Sequence, residues 1–246
     1  MIIIAKHRWY NKYLMPELVD PKNFIISRKR KKYKFALFHN SPLCFEFDEW
    51  DKSFVPDVIE VGAGNGRFAV ELATRHPEQK FVALDVKGDR LQQGARLAEE
   101  RKLANVRFVR ARADQIDQLF APDSLTAIWV TFPDPFPRKR SAGRRLTHPT
   151  FLKKYAHLLK GSTLSREDNL SDGVYRGAGR LYVKHDNRDF FCWSLEQLVE
   201  EMWVIKELSF DLHDSSLSED YKIMTTYEQK WLSEGLATNF VSAQLP

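Results

Sequence analysis

At 246 residues the chain is sized for one α/β domain with additions, or for two small domains. Two cysteines, Cys44 and Cys192, exclude a disulfide framework and a four-cysteine zinc site on number alone, so two buried free thiols in a reducing cytosol are expected, and with them a cytoplasmic location. No apolar run is long enough to cross a bilayer, and the short apolar start Met1 to Ala5 runs at once into His7, Arg8 and Lys12, against a secretory signal.

The net charge of +5 is modest but clustered. Arg28, Lys29, Arg30, Lys31, Lys32 and Lys34 form one block; Arg138, Lys139, Arg140, Arg144 and Arg145 form another. Clustered cations suit a polyanion, because each neutralised phosphate releases counterions.

Residues 1–54 are basic and aromatic without a clean period. They are expected to form an arm carrying a short helix or strand, packed on the main domain or ordered by RNA. Residues 55–246 are expected to be the main domain. Asp57 to Val61 reads as a buried strand entering a glycine turn, and Phe68 to Arg75 as a helix that stops before Pro77. Lys80 to Leu84 is a second strand ending at Asp85, Asp89 to Arg101 a second helix, and Val106 to Val109 a third strand. Leu125 to Phe132 is a fourth, very apolar strand broken by Pro133-Asp134-Pro135. Pro149 to Leu159 is a helix, Arg180 to Lys184 a fifth strand, and Phe190 to Glu201 a helix. Val204 to Phe210 and Ile223 to Tyr227 are strand-like. The polar stretch Gly161 to Gly179 is expected to be a mobile loop. Strands alternating with helices imply a Rossmann-like, doubly wound, mostly parallel sheet covered on both faces.

Gly62, Gly64 and Gly66 form G-x-G-x-G between a strand and a helix, which permits a tight turn and close approach of a ligand to the backbone. Glu60 just before the turn disfavours a diphosphate, since like charges repel. S-adenosylmethionine has no phosphate, and its amino-acid and ribose parts would pack there. Asp85, at the end of the second strand, is placed to hold both ribose hydroxyls. Asp114, just after the third, is placed to accept from an adenine amino group. A nicotinamide dehydrogenase would usually show glycine at residue 67, where this chain has Arg67.

The segment Thr131 to Arg140 follows the fourth strand. Three prolines stiffen it and hold Asp134 at the mouth of the crevice. Phe136 can stack on a base, and the cations behind it can hold phosphates. Adenosylmethionine enzymes that act on exocyclic amines often place Asn-Pro-Pro-Tyr here; this chain has Phe132-Pro133-Asp134-Pro135.

Four segments in order and spacing resemble the bacterial tRNA (guanine-N7)-methyltransferase family. They are the cofactor turn with Glu60; Phe132 to Arg140 running into Arg144-Arg145-Leu146; Lys184-His185-Asp186-Asn187-Arg188; and Thr225-Thr226-Tyr227-Glu228. The resemblance implies a class I methyltransferase fold with an antiparallel C-terminal strand. It implies methyl transfer from S-adenosylmethionine, with no metal, to N7 of a variable-loop guanosine in tRNA. By position, Glu60, Gly62, Asp85 and Asp114 resemble cofactor contacts, and Asp134 resembles the catalytic acid. Arg138, Asp186, Thr225, Thr226, Tyr227 and Glu228 resemble guanosine or tRNA contacts. His185 stands where the family usually has threonine, and Arg138 where lysine is common. The alternative reading is an adenosylmethionine enzyme acting on another RNA base, an exocyclic amine or a protein. A monomer or homodimer without a protein partner, and no membrane association, are expected.

Overall fold

The computed structural model describes residues 18–24, 28–161 and 179–245. The expectations for residues 1–17, and for most of the Gly161 to Gly179 stretch, lie outside the described residues.

The described elements, in chain order, are α1 (Lys29–Asn40), β1 (Cys44–Glu46), β2 (Val58–Val61), α2 (Arg67–Arg75), β3 (Phe81–Asp85) and α3 (Gly88–Glu100). There follow β4 (Val106–Arg110), α4 (Ile116–Leu119), β5 (Ala127–Thr131), α5 (Pro149–Leu158), β6 (Arg180–His185) and α6 (Arg188–Glu200). The last are β7 (Val204–Ser209), α7 (Thr226–Ser233) and β8 (Asn239–Gln244). They build an eight-stranded sheet in the order β1-β4-β3-β2-β5-β6-β8-β7. Every strand but β8 runs the same way; β8 is antiparallel to both β6 and β7. This is the doubly wound sheet with an antiparallel C-terminal strand that the sequence leads one to expect.

The chain winds one way from β2 through β3 to β4, then returns to β5 and winds the other way to β6. Neighbouring loops diverge where that direction reverses, and a crevice opens at the carboxyl ends of β2 and β5. Both strands are buried along their whole length, as a sheet covered on two faces requires. One face packs Ile59, Val61, Ile128, Val130 and Val183 under α5 and α6 with Leu152, Tyr155 and Phe191. The other packs Val58, Ala83, Phe108, Trp129 and Tyr182 under α2 and α3 with Phe68, Leu72, Leu91 and Ala95. Each fully buried Leu or Phe contributes about 1.5–3 kcal/mol.

The basic N-terminal part joins this sheet. β1 pairs in parallel with β4, Cys44 opposite Phe108. α1 lies against α3: Phe38 and Ala36 are buried, the Ser41 hydroxyl donates to Glu99 at 2.5 Å, and Lys29, Arg30 and Lys31 stay exposed. Cys192, expected to be buried, is exposed, while Cys44 is buried.

One strand expectation is overturned. Residues 223–225 lead into α7 instead of forming a strand. The Thr225 hydroxyl accepts from the Glu228 N–H at 3.1 Å, and Glu228 Oε2 accepts from the Thr225 N–H at 3.1 Å. This capping box satisfies two otherwise orphaned donors and starts a helix despite the alternating Ile223, Thr225 and Tyr227. The final strand is β8, whose mixed Asn-Phe-Val-Ser-Ala-Gln sequence carries no clean period. Among the described residues no helix is long and apolar enough to cross a membrane.

Candidate active site

Glu60 stands near the end of β2, beside Trp129 of β5 in register. Its side chain is 3% exposed. The Thr131 hydroxyl donates to its Oε1 at 2.7 Å, joining the two strand ends at the crevice. Its Oε2 is buried without a hydrogen-bond partner. Burial therefore pushes the carboxyl up to about 8, against smaller downward pulls from the Thr131 hydroxyl and the Ala69 backbone. Lys184 Nζ also lowers it, but that ammonium is already bound to Glu228 Oε2 at 2.8 Å and to the Ile223 carbonyl at 2.9 Å.

The glycine turn closes against β3. Gly62 and Ala63 donate to the Leu84 carbonyl at 2.9 and 3.0 Å. Gly64 donates to Asp85 Oδ2 at 2.8 Å, and Lys87 N–H to Asp85 Oδ1 at 2.8 Å. Gly66 caps α2 at φ +71°, and a Cβ there would lie 2.6 Å from the Phe108 ring. By contrast, a Cβ at Gly64 would meet nothing within 4 Å, so the turn faces open space above its middle glycine. Asp85 thus braces the turn from β3, and each carboxylate oxygen keeps a second lone pair for a ligand hydroxyl. Asp114 sits after β4 in a fork with Arg112, at 2.9 Å to Oδ1 and 2.5 Å to Oδ2. That hydrogen bond, foremost, holds its pKa below the usual carboxylate range.

The loop after β5 is bent by its own backbone. Phe132 and Phe136 have φ of +47° and +39°, the left-handed region costly for aromatic residues. Pro133 is buried, and Asp134 between two prolines is exposed at the crevice mouth. Arg145 holds the far side of the loop: its Nε donates to the Pro135 carbonyl at 3.0 Å, its Nη2 to the Phe136 carbonyl at 3.1 Å, and its guanidinium lies 4.2 Å over the Trp193 ring. Arg144 lies 4.4 Å over Phe136 instead. Arg138, at the start of the turn Lys139–Arg144, is exposed.

At the end of β6, His185 reaches Pro133 and Asp186 is half-buried. The segment Thr225 to Glu228 lies on the side of the glycine turn. Asn65 Nδ2 donates to Thr226 Oγ1 at 2.9 Å, and Arg90 to the Tyr227 hydroxyl at 2.6 Å. Glu228 is fully buried between Lys184 and His213, the latter 2.8 Å from Oε1. Burial pushes Glu228 up, but the bonds from His213 and Lys184 outweigh it and keep the group ionised. Burial lowers the Lys184 ammonium against the opposing pull of Glu228. Both oxygens of Glu228 are thus committed to the fold.

The candidate residues fall into two groups around the crevice. Glu60, Gly62 and Asp85 lie with Thr226 and Tyr227 around the glycine turn; Asp134 and Asp186 lie around the ends of β5 and β6. From the sequence, Lys184, His213, Asn65 and Arg90 carry no site role, and Arg145 counts only as one cation of a basic cluster. The Thr-x-x-Glu capping pattern is a local signal for Thr225 and Glu228 alone and points to none of these partners.

Residues 55–166 match the model of a family described as putative methyltransferase. The tRNA (guanine-N(7)-)-methyltransferase of Cytophaga hutchinsonii is 34% identical over 199 residues, covering 80% of this chain and 83% of that protein. The chain belongs to the tRNA (guanine-N(7)-)-methyltransferase family. Within that family, the enzyme of Mycoplasmopsis agalactiae is 35% identical over 187 residues, covering 76% of this chain and 82% of its own. Among solved structures, the 16S rRNA methyltransferase KamB superposes with a TM-score of 0.54 at 16% identity, over 79% of this chain and 91% of that one. That likeness concerns the fold alone.

Proposed function

We propose that this protein transfers a methyl group from S-adenosylmethionine to N7 of a guanosine in the variable loop of tRNA. The observation that carries the reading is the placement of Asp134. In a chain of this family, a strained proline loop holds an exposed carboxylate at the switch-point crevice, next to the strand end that carries Glu60.

The residues around the turn fit the cofactor. Glu60 has a buried oxygen lacking a donor, and a ligand ammonium brought to the turn supplies one. Asp85 has lone pairs left for ribose hydroxyls, and Gly62 and Gly64 admit a ligand close to the backbone. Asp114 takes the adenine amino group once its fork with Arg112 opens. S-adenosylmethionine supplies an electrophilic methyl on a sulfonium. Guanine N7 carries a free lone pair, so no general base is needed, and the protein's main task is alignment. Asp134 accepts from the guanine N1–H and amino edge, which fixes the base and distinguishes guanine from adenine, and its charge stabilises the positive charge that develops on the purine. Arg138 contacts the tRNA, where a guanidinium suits a phosphate, and Asp186 contacts the guanosine. Thr225, Thr226 and Tyr227 close the pocket beside the turn, and Glu228 serves by holding their helix. N7 is out of reach in an A-form groove, so the base must be exposed or extruded. The protein works in the cytoplasm as a monomer or homodimer without a protein partner.

The test is incubation with labelled S-adenosylmethionine and bulk tRNA, followed by mapping of the modified base. Label at N7 of guanosine is expected; label on another base, on an exocyclic amine or on protein supports the alternative. Asp134→Asn should depress kcat by about a hundredfold or more while cofactor affinity holds. Equal loss of cofactor binding would assign Asp134 to the wrong ligand.

A further inference from the structure

The hydrogen-bond ladder between β5 and β6 runs out just before Asp134. Phe132 N–H still donates to the Lys184 carbonyl at 2.9 Å. Its φ of +47° then turns the chain out of the sheet, and Pro133 has no N–H to offer. The next residue on β6, His185, supplies the following link with its side chain: Nε2 lies 2.9 Å from the Pro133 carbonyl oxygen. Its Nδ1 accepts from the Asn187 N–H at 2.8 Å. A nitrogen that accepts carries no proton, so in the neutral ring the proton is on Nε2 and is donated to Pro133.

The ring is fixed on every side. It is 3% exposed and packs on Phe190, with ring centroids 4.4 Å apart. The His185 carbonyl accepts from Asn239 Nδ2 of β8 at 2.8 Å. Asp186 Oδ1 lies 3.2 Å from Nδ1. An imidazolium would pair there, but only by giving up the Asn187 bond, and burial outweighs the Pro133 and Asp186 contributions and favours the neutral form. His185 thus extends the order of the sheet by one residue, up to the peptide that precedes Asp134.

We infer that His185 is a positioning residue for methyl transfer, its Nε2–H bond to the Pro133 carbonyl setting the place of Asp134. This rests on the proposed role of Asp134 and adds the device that aims it. Displacement of a reacting constellation by about 1 Å costs on the order of a hundredfold in rate.

The experiment compares His185→Leu, which fills the space without donating, with His185→Gln, whose amide nitrogen reaches about where Nε2 lies. His185→Leu should lower kcat by about tenfold to a hundredfold, with the KM for tRNA and the Kd for S-adenosylmethionine unchanged. His185→Gln should recover most of that loss. Independently of activity, ¹⁵N NMR of the wild-type protein should show His185 protonated at Nε2 and unprotonated at Nδ1. Equal losses in both variants, wild-type turnover in His185→Leu, or a proton on Nδ1 would each overturn the inference. Should His185→Leu not fold, His185→Asn takes its place with the same expectation, because its amide falls short of Pro133. Asp134→Asn run in the same assay separates the two ideas: full activity there removes the role of Asp134, whereas an inactive Asp134→Asn beside a fully active His185→Leu removes only that of His185.

Discussion

Glu60 carries its carboxyl out of solvent on a central strand, with one oxygen bonded to Thr131 and the other lacking a donor. Its pKa in the fold, about 8, lies above the ordinary 4.5, so the folded state binds the proton more tightly than the unfolded chain. The stability this confers is complete below the unfolded pKa and is lost as pH rises through about 8. Ionising the group in the fold costs on the order of several kcal/mol, at about 1.4 kcal/mol per pKa unit. Glu60→Gln should therefore raise Tm relative to wild type at pH 9, with little difference at acid pH, while weakening S-adenosylmethionine binding. Thermal melts across pH check the first effect and calorimetry the second. A neutral-leaning carboxyl also changes how strongly a diphosphate is disfavoured at this turn. In the protonated form the like-charge repulsion against a diphosphate is weakened, and it returns as the carboxyl ionises. Lys184 gives a second prediction. Lys184→Met leaves Glu228 buried without its ammonium and should cost about 3–5 kcal/mol in urea unfolding. Glu60 could be read from its place before a glycine turn, but neither the state of its proton nor the presence of Lys184 could, because both depend on what the fold brings near.

At the scale of elements, α7 and the loop after β5 are each held by a brace from elsewhere in the chain. α7 starts at the Thr225 and Glu228 capping box, and the stretch before it is tied to α2, with Arg75 and His76 binding Asp220 at 2.9 and 2.6 Å. Thr225→Ala should cost about 1 kcal/mol in urea unfolding and loosen the Thr226 and Tyr227 contacts over the turn, seen as weaker cofactor binding. The two arginines after the proline loop differ. Arg145 spends its donors on the Pro135 and Phe136 carbonyls, whereas among the described residues Arg144 only stacks on Phe136, leaving its donors for a partner. Arg145→Ala should lower kcat with the salt slope of tRNA binding retained. Arg144→Glu should flatten that slope, by about one unit of log K against log salt. Filter binding across salt concentrations, with kinetics alongside, separates them. From the sequence these side chains are equal members of one basic cluster; the loop conformation assigns them different work. The same holds for α7, where period-two alternation in Ile223, Thr225 and Tyr227 imitates a strand until the capping box is weighed against it.

Over the whole molecule, the exposed cations of α1 project from the helix packed on α3, with the edge strand β1 beyond it, while Arg138, Lys139 and Arg140 sit after the proline loop. If tRNA spans from the crevice to α1, reversing Lys29 and Lys31 together should weaken tRNA binding and reduce its salt slope by about two, with S-adenosylmethionine affinity intact. An unchanged slope would take α1 off the RNA path. The mostly parallel sheet, the glycine turn and the proline loop were legible in the sequence, because strand, turn and helix signals are local and repeat in order, whereas the strand order that makes the switch point was not. The sequence by itself determined the alternation of strands and helices from β2 to β7 apart from the short α4, the acids at successive strand ends and the likeness to a methyltransferase family. Tertiary structure alone decided which of those acids are free to meet a ligand. Asp134 is left exposed, Glu60 is buried short of a donor, and Glu228 is consumed by Lys184 and His213. The reason is physical: a carboxylate's charge, hydration and spare lone pairs are set by groups tens or hundreds of residues away in the chain, which only packing brings within a few ångströms.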